Sequence, residues 1–347
     1  MEKSNSFIAI PPGMTIKEQI KDRGISQKEF AVRMGMSQKH ISRLINGEVQ
    51  LTIDMARRLE MVLGIPAQFW CNLESIYREK LAKNNEENTL GHDIDFVKKF
   101  PYEEMAEEGW VEKTSKQIER VVNLRKYFEV YQLSLIKEHL IPDEIRCRRL
   151  LETEKSYYVL LAWAQKAKLE GRDVETRPIN INRLIKSISN IRKMTVMSPK
   201  EFCPKLKNIL SECGIAIVFL PYIDSSFANG VTFYEGKKII LGLTLKEKDI
   251  DKFWISLFHE IGHIVLGHID NPQGVKEEEK DADDYSENVL IPRNDFDIFV
   301  NSNNISEREI IEFAQKEEID VGIVLARLQK YKYLDNNKYN ILKKKIC

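Results

Sequence analysis

The chain has 347 residues, of which 43% are hydrophobic and 31% charged, a composition typical of a soluble globular protein with two or three domains. Its 53 Lys and Arg residues balance 53 Asp and Glu residues, so the net charge points to no particular partner. The sequence contains neither a membrane-spanning apolar stretch nor a secretory signal, and its five cysteines are widely spaced without a C-x-x-C pair. We therefore expect a cytoplasmic protein with reduced thiols and no membrane partner.

The first part of the chain, residues 15–82, breaks into short helices at regular intervals. Ser26 and Ser37 are suitable N-caps for helices over 27–34 and 38–46, and Thr52 for a further helix that runs to residues 63–64. The apolar residues between them recur at the spacing that buries one face of a helix. The predicted core residues of this part are Ile25, Phe30, Ala31, Met34, Met36, Ile41, Leu44 and Ile45.

Residues 34–37 join two of these helices into a helix-turn-helix. Polar residues at the start of the second helix of such a motif contact base edges, and the start of the first helix can hold a phosphate. Gln38 suits adenine, whereas Lys39 and Arg43 suit guanine or phosphate. The predicted DNA-binding residues are Gln27, Ser37, Gln38, Lys39, His40, Ser42 and Arg43. Residues 1–83 hold 13 Lys and Arg against 9 Asp and Glu, and this excess of 13 − 9 = +4 is compatible with double-stranded DNA as a partner.

The same stretch resembles the lambda-repressor-like (XRE) helix-turn-helix superfamily, most closely the HigA antitoxin type, from about Pro11 to Tyr77. The matching residues are PPG at 11–13, SQKEFA at 26–31, ISRLING at 41–47 and LGIPAQFWCNL at 63–73. The resemblance implies a homodimer that binds a pseudo-palindromic operator.

A polar run over 83–93 contains turn residues and predicts the first domain boundary. It separates a DNA-binding domain over 1–83 from a helical connecting region over 84–195. In the latter, helices are predicted over 115–132, 143–169 and 181–193, and Tyr157, Tyr158 and Trp163 are expected in the core.

The third predicted domain, residues 196–347, combines helices with a small sheet. Helices are predicted over 205–213, 307–316 and 321–330, and strands over 215–220, 230–234 and 238–243, of which the last two form a hairpin. We expect an edge near 230–233 to receive an extended peptide by main-chain pairing. The lysines at 343–345 are expected to be a solvated basic end. The whole chain is thus predicted to be mainly α with a small β-sheet, an α+β fold.

The residues His259-Glu260-Ile261-Gly262-His263 form an H-E-x-x-H pattern inside an apolar helix. Residues four apart lie on one face, so both imidazoles can bind one ion, and two neutral imidazoles suit zinc. Glu260 lies about 100° around the helix, where it can act as general base on a water. Two core histidines bonded to carbonyls are the alternative interpretation.

A catalytic zinc site requires a third protein ligand. In the acidic run over 277–284, Glu279 and Asp283 share a helix face, and the small Ala282 would allow close approach to the histidine helix. Glu279 is favoured as the third ligand over Asp281, and Asp283 is expected to orient a ligand imidazole. A solvated acidic face remains the alternative.

The region from about Cys213 to Pro292 resembles the ImmA/IrrE family of metallopeptidases. The matching residues are FW at 253–254, HEIGHIVLGH at 259–268, EKDADDYS at 279–286 and LIP at 290–292. The resemblance implies a zincin-like α+β peptidase with Zn²⁺ on His259, His263 and Glu279, and Glu260 as the base. Asp281 stands where many relatives have Glu, so Glu279 and Asp281 both remain candidates for the third ligand.

Together these features predict a DNA-binding regulator that carries a zinc endopeptidase. The resemblance implies a repressor or antitoxin-type protein as substrate. The alternative function is a HigA-like antitoxin and autorepressor whose non-catalytic zinc domain binds a toxin. An intact Glu260 favours the enzyme, because a structural zinc site needs no base.

Overall fold

A computed structural model describes residues 9–136, 146–147, 154–221, 223, 230–244, 249–270, 275–302 and 305–345. The chain divides into two compact units, Met1–Ile94 and Asp95–Cys347. The predicted α+β fold, mainly helical with a small sheet, is confirmed. The division into domains 1–83, 84–195 and 196–347 stays a prediction. No helix among the described residues is both long and apolar enough to cross a membrane.

The first unit consists of four short helices and most of a long one. Its elements are α1 (Pro12–Asp22), α2 (Gln27–Met34), α3 (Gln38–Ile45), α4 (Ile53–Leu63) and most of α5 (Ala67–Val97). Each of the predicted caps Ser26, Ser37 and Thr52 accepts a hydrogen bond from the backbone N–H three residues later. Of the predicted core residues, Ile25 and Met36 are partly buried and the other six are buried.

Helix α5 runs without interruption through residues 83–93, where the sequence predicts turns. That prediction was wrong. Polar residues such as Asn and Glu carry only a modest penalty in a helix, so a polar run does not by itself end one.

The second unit contains ten α-helices among its described residues, together with four strands. Its elements, in chain order, are α6 (Tyr102–Glu107), α7 (Gln117–Phe128), β1 (Arg146–Cys147), α8 (Glu154–Arg172), α9 (Ile181–Arg192), α10 (Pro199–Glu212), β2 (Ile215–Leu220), β3 (Gly230–Glu235), β4 (Lys238–Thr244), α11 (Ile250–Val265), α12 (Val275–Leu290), α13 (Arg293–Asn301), α14 (Glu307–Lys316) and α15 (Val321–Lys330). The three predicted strands are confirmed to within one residue. Of the expected core aromatics, Tyr158 and Trp163 are fully buried.

The helix predicted over 143–169 is wrong at its start. Arg146 and Cys147 belong to a strand, and the helix begins at Glu154; residues 143–145 and 148–153 lie outside the described residues. Pairing of β1 with a distant strand has no counterpart in local periodicity, which is why the sequence predicts a helix there.

The sheet has the strand order β1-β3-β4-β2, with β2 parallel to β4 and β3 antiparallel to both neighbours. Trp163 of α8 lies against Gly242, whereas Thr232 bonds Glu260 of α11. Val231 pairs with Gly242, and successive residues of a strand point to opposite faces. The two helices therefore cover opposite faces of the sheet.

The stretch of β3 expected to be a free edge is occupied. Val231 and Thr232 pair with Cys147 and Arg146 of β1. The prediction of an open edge was wrong, because the pairing segment comes from a part of the chain with no strand pattern of its own.

Two of the three lysines at 343–345 are not simply solvated, which corrects the sequence prediction for these two. Lys343 Nζ lies 3.0 Å from Asp251 Oδ2, and Lys344 Nζ lies 2.7 Å from Asp320 Oδ2. Both carboxylates are buried, at 1% and 2% exposure. A buried carboxylate is costly without a partner, so these lysines offset the burial of two charges.

Candidate metal centre and DNA-binding surface

Helix α11 carries the H-E-x-x-H residues in the interior of the second unit. Its apolar neighbours Trp254, Leu257 and Ile261 are fully buried, and they fix the helix against the core. His259 and His263 are exposed by only 1% and 0%. The helical spacing of four residues places their rings one above the other, with Nε2 atoms 3.1 Å apart.

Glu279 of α12 completes a group of three ligand atoms. Its Oε2 lies 3.2 Å from His259 Nε2, and its Oε1 lies 3.4 Å from His263 Nε2. Ligands about 2.1 Å from a tetrahedral ion are about 3.4 Å from each other, so these separations fit a bound metal. Glu279 Oε2 is buried and has no hydrogen-bond partner in the described part of the chain. This is the environment expected for an oxygen whose partner is a cation.

The approach of α12 to α11 depends on two small residues. Ala282 is fully buried, and its backbone lies so close to Gly262 that a Cβ there would be 3.3 Å from it. The sequence predicts this role for Ala282. Asp281, the other candidate for the third ligand, is exposed, whereas Glu279 faces the two histidines.

Each imidazole is held through its other ring nitrogen. His259 Nδ1 lies 2.8 Å from Asp283 Oδ1, as the sequence predicts, and His263 Nδ1 lies 3.1 Å from His268 Nδ1. When a metal is bound, a proton on each Nδ1 would leave both Nε2 lone pairs available to the ion. Support of His263 by His268 was not predicted from the sequence, although both residues lie in the same HEIGHIVLGH run.

The general-base candidate Glu260 is separate from this group. It is 1% exposed, and Thr232 donates its hydroxyl proton to Glu260 Oε2 at 2.6 Å. Gly230 lies so close that a Cβ there would be 2.6 Å from Glu260 Oε1. Both residues belong to β3, and sequence reasoning missed them because only the packing of β3 on α11 brings them to the carboxylate.

The pKa values of the carboxyl groups of Glu260 and Glu279 are shifted in opposite directions. Burial raises the pKa of Glu260 above its ordinary value, although the charges of His259 and His263 and the Thr232 hydrogen bond oppose this shift. Burial would also raise the pKa of Glu279, but its contacts with the two imidazoles outweigh burial and lower it. Glu279 is therefore suited to remain an anionic ligand, and Glu260 to accept a proton.

The helix-turn-helix forms in the first unit as predicted. Ser37 Oγ accepts from the His40 backbone N–H and starts α3, and Gly35 adopts φ 64° in the turn before it. That left-handed conformation favours glycine and lets α3 leave α2 at a sharp angle.

Five of the predicted DNA-binding residues surround one open recess on this surface. They are Gln27, Gln38, Lys39, Ser42 and Arg43, and Glu48 also lines the recess. Ser37 is exposed at the start of α3, where its side chain serves as the cap. His40 does not join them: it is half-buried, and its Nε2 is buried without a hydrogen-bond partner among the described residues.

Glu48 is a feature of the recess that sequence reasoning missed. Its Oε2 lies 3.5 Å from Arg43 Nε, and both side chains are about half exposed. The carboxylate reduces the positive charge that Arg43 presents.

The fold and this surface define a DNA-binding protein of the helix-turn-helix type. Residues 16–70 match a family model described as helix-turn-helix. The chain is 36% identical over 66 residues to an uncharacterized HTH-type transcriptional regulator, YddM, of Escherichia coli (strain K12), a match that covers 19% of this chain and 70% of that protein. It is 29% identical over 85 residues to virulence-associated protein I of Dichelobacter nodosus, covering 24% of this chain and 79% of that protein. Through its N-terminal residues, the chain belongs to the family of helix-turn-helix transcriptional regulators.

Proposed function

We propose that this DNA-binding regulator also carries a zinc-dependent endopeptidase in its second unit. The observation that carries the proposal is the convergence of His259, His263 and Glu279 beside a buried carboxylate, Glu260, that takes no part in their group. Three protein ligands and a separate base are what metal-assisted peptide hydrolysis requires.

The donor set favours zinc. Two imidazole nitrogens and one carboxylate oxygen suit its borderline character, whereas Ca²⁺ and Mg²⁺ prefer oxygen ligands throughout. When bound, the ion supplies Lewis acidity to the scissile carbonyl and to the attacking water.

The chain's own residues perform the proton transfers. Glu260 Oε1 accepts a proton from the attacking water and passes it to the leaving amine. Thr232 holds the other carboxylate oxygen, Oε2, so that Oε1 keeps one orientation. Asp283 and His268 keep His259 and His263 in the tautomer that leaves Nε2 free for the metal.

In the first unit, Gln38, Lys39 and Arg43 are proposed to contact an operator, with the protein acting as a homodimer in the cytoplasm. Helix-turn-helix dimers bind half-sites one helical turn apart, which makes the operator a pseudo-palindrome. A repressor or antitoxin-type protein is proposed as the substrate, on the resemblance to ImmA/IrrE peptidases alone.

A toxin-binding autorepressor with non-catalytic zinc is the competing function. Burying Glu260 costs free energy, and a purely structural metal site has no use for such a carboxylate. An endopeptidase function therefore explains the buried carboxylate of Glu260, which a structural metal site does not explain.

The test compares wild type with Glu260→Gln. Both are loaded with Zn²⁺ and incubated with a mixture of unstructured peptides, and new peptide termini are identified by mass spectrometry. We expect equal zinc content in the two proteins but new termini only with wild type. Equal cleavage by both variants would end the enzyme proposal, and a small protein that co-purifies uncut would favour the autorepressor.

A further inference from the structure

A small cavity lies between α11, α12 and α15 in the second unit, and we call it the interhelical cavity. Its volume is about 90 Å³. Ile255 of α11, Leu290 of α12 and Ile323 of α15 line it and make its interior apolar. Lys330, at the end of α15, also lines the cavity and is half exposed, so the cavity opens to solvent on that side. An apolar cavity of about 150 Å³ can hold benzene, so a small ring that partly protrudes suits the interhelical cavity.

Four charged side chains line the cavity, and they are paired with one another. Lys330 Nζ lies 2.7 Å from Glu287 Oε1 and 3.8 Å from Asp283 Oδ2. Arg327 Nε lies 3.8 Å from Glu287 Oε2, and its Nη1 donates to the Glu287 carbonyl. Two cations thus face two carboxylates. A charged ligand would meet a like charge next to its own partner, so the lining favours a neutral ligand.

Lys330 offers such a ligand a hydrogen-bond donor. Its side chain is 51% exposed, and its ammonium group has three protons to donate. Glu287 Oε1 is within hydrogen-bond distance of Nζ, whereas the Asp283 oxygen at 3.8 Å is too far away. An acceptor oxygen on the ligand can therefore bond Nζ while the apolar part of the ligand lies against Ile255 and Ile323.

Asp283 connects the interhelical cavity to the candidate metal centre. It lines the cavity, and its Oδ1 lies 2.8 Å from His259 Nδ1. The Asp283 side chain is 37% exposed, so water competes for its carboxylate. A neutral ligand in the cavity would exclude part of this water, and a hydrogen bond is stronger where water is excluded. A stronger bond from Asp283 to His259 raises the affinity of this histidine for a metal.

We propose that the interhelical cavity binds a small neutral molecule with an apolar ring and one acceptor oxygen, and that this binding increases metal affinity through Asp283. The inference rests on the metal centre of the proposed function, but not on peptide cleavage. Because coupling between two sites is reciprocal, the metal increases the affinity for the ligand by the same factor. The ligand thus acts as a signal that sets which fraction of the protein carries metal.

Binding to the cavity is tested with tetrahydropyran on the full-length, metal-free protein. Tetrahydropyran is a saturated ring with one ether oxygen, and cyclohexane is the same ring without an acceptor. Binding is followed by nuclear magnetic resonance of the isoleucine methyl groups. We expect shifts at Ile255 and Ile323, which line the cavity, and none at Ile185, an exposed residue of α9. Unchanged signals from Ile255 and Ile323 would overturn the inference.

Substitutions at two lining residues test the shape and the donor. Ala326→Met fills the cavity and should abolish binding, whereas Ala326→Ser leaves room for the ligand and should retain it. Lys330→Met removes the donor and should weaken tetrahydropyran binding about tenfold, with little change for cyclohexane. Because Lys330 is half exposed, this variant requires no repacking of the core. Wild-type affinity of Lys330→Met for tetrahydropyran would contradict the proposed recognition.

The coupling is tested by measuring zinc affinity against a chelator, with and without saturating tetrahydropyran. We expect wild type to bind zinc about fivefold more tightly with the probe present. Asp283→Asn should lose this gain, because a neutral amide is a weaker acceptor than a carboxylate. Asp284→Asn, at an exposed position of α12, is the matched control and should keep it.

The zinc measurement also separates the inference from the proposed function. If wild type binds zinc equally well, or less tightly, in the presence of tetrahydropyran, the inference is overturned and the metal centre stands. If wild type binds no zinc under any condition, the proposed function and the inference both fail. An equal gain in Asp283→Asn and wild type would also overturn the inference, since the effect would not pass through this carboxylate.

Discussion

The residues that line the recess on the helix-turn-helix surface lie within one short stretch, 27–48, whereas the candidate metal centre of the second unit draws on positions from Gly230 to Asp283. On the DNA-binding surface, serine caps and a glycine turn fix two neighbouring helices, and the side chains follow from helix periodicity. In the candidate metal centre, helix spacing brings His259 and His263 together, but a second helix must pack on theirs before Glu279 meets them. Local sequence patterns are therefore enough to predict the helix-turn-helix surface, whereas the candidate metal centre depends on tertiary packing.

The strongest way to break this comparison is to remove a metal ligand. His263→Ala should reduce zinc from about one ion per chain to nearly none, because two ligands cannot hold a catalytic site. Elemental analysis of the purified chain measures this. His92→Ala, at an exposed position of α5, is the matched control and should keep its zinc. DNA binding that fell together with zinc would show that the two sites are not independent.

The next largest effect tests the support of His263. His268→Phe removes the acceptor of the His263 Nδ1 proton and should weaken zinc binding by about 10- to 100-fold. His268→Gln can still accept this proton and should recover much of the affinity. Competition with a zinc chelator gives the affinities; equal values for both variants would contradict a role for this hydrogen bond.

The local side of the comparison is tested at α3. Gln38→Ala should cost about 1–3 kcal/mol at one base position of the operator and relax specificity there. Lys39→Ala should instead weaken binding to all sequences and reduce the salt dependence by about one counterion. Selection from a random DNA library, followed by titration at several salt concentrations, separates the two. A variant at Gln38 with unchanged base preference would remove it as a reader.

A smaller effect is expected at Thr232, which tests the contribution of β3 to Glu260. Its hydrogen bond stabilises the carboxylate, so Thr232→Val should raise the already raised pKa of Glu260 further. Because the base works only when deprotonated, the acid limb of the peptidase pH profile should move to higher pH. Thr232→Ser keeps the hydroxyl and should restore the profile. A valine variant with the wild-type acid limb would contradict this role.

The smallest effect is expected at Glu48. Glu48→Gln removes the charge beside Arg43 and should tighten DNA binding by up to about 1 kcal/mol, as for an exposed ion pair. The gain should shrink as salt rises, since both side chains are exposed to solvent. Weaker binding by this variant would mean that Glu48 positions Arg43 for DNA.

The features that could be predicted from the sequence are those that depend on local patterns and not on tertiary packing. Ser26, Ser37 and Thr52 mark the starts of their helices because a cap acts over three residues. The strands over 215–220 and 238–243 could be predicted because each consists mostly of apolar residues. The position of Glu279 beside the histidines could be predicted because His259 and His263 share one face of α11, and few acidic residues lie on the face of α12 next to Ala282.

Other features depend on which elements meet, and no local pattern contains that information. Thr232 and Gly230 belong to an ordinary strand pattern until β3 packs on α11. The strand at Arg146–Cys147 exists only through its partner β3, and local periodicity predicts a helix there. His40 fits the polar pattern of α3, but the bundle buries its Nε2.

The lysines that neutralise Asp251 and Asp320 bear on how the molecule is made. Asp251 lies in the first turn of α11, the helix that carries His259 and His263, and the backbone N–H of Ile250 also donates to the carbonyl of Lys344. During synthesis these partners leave the ribosome long after the helix that needs them, whereas every residue of the helix-turn-helix has already emerged. A nascent chain can thus form its helix-turn-helix before the lysines that pair with Asp251 and Asp320 have been synthesised.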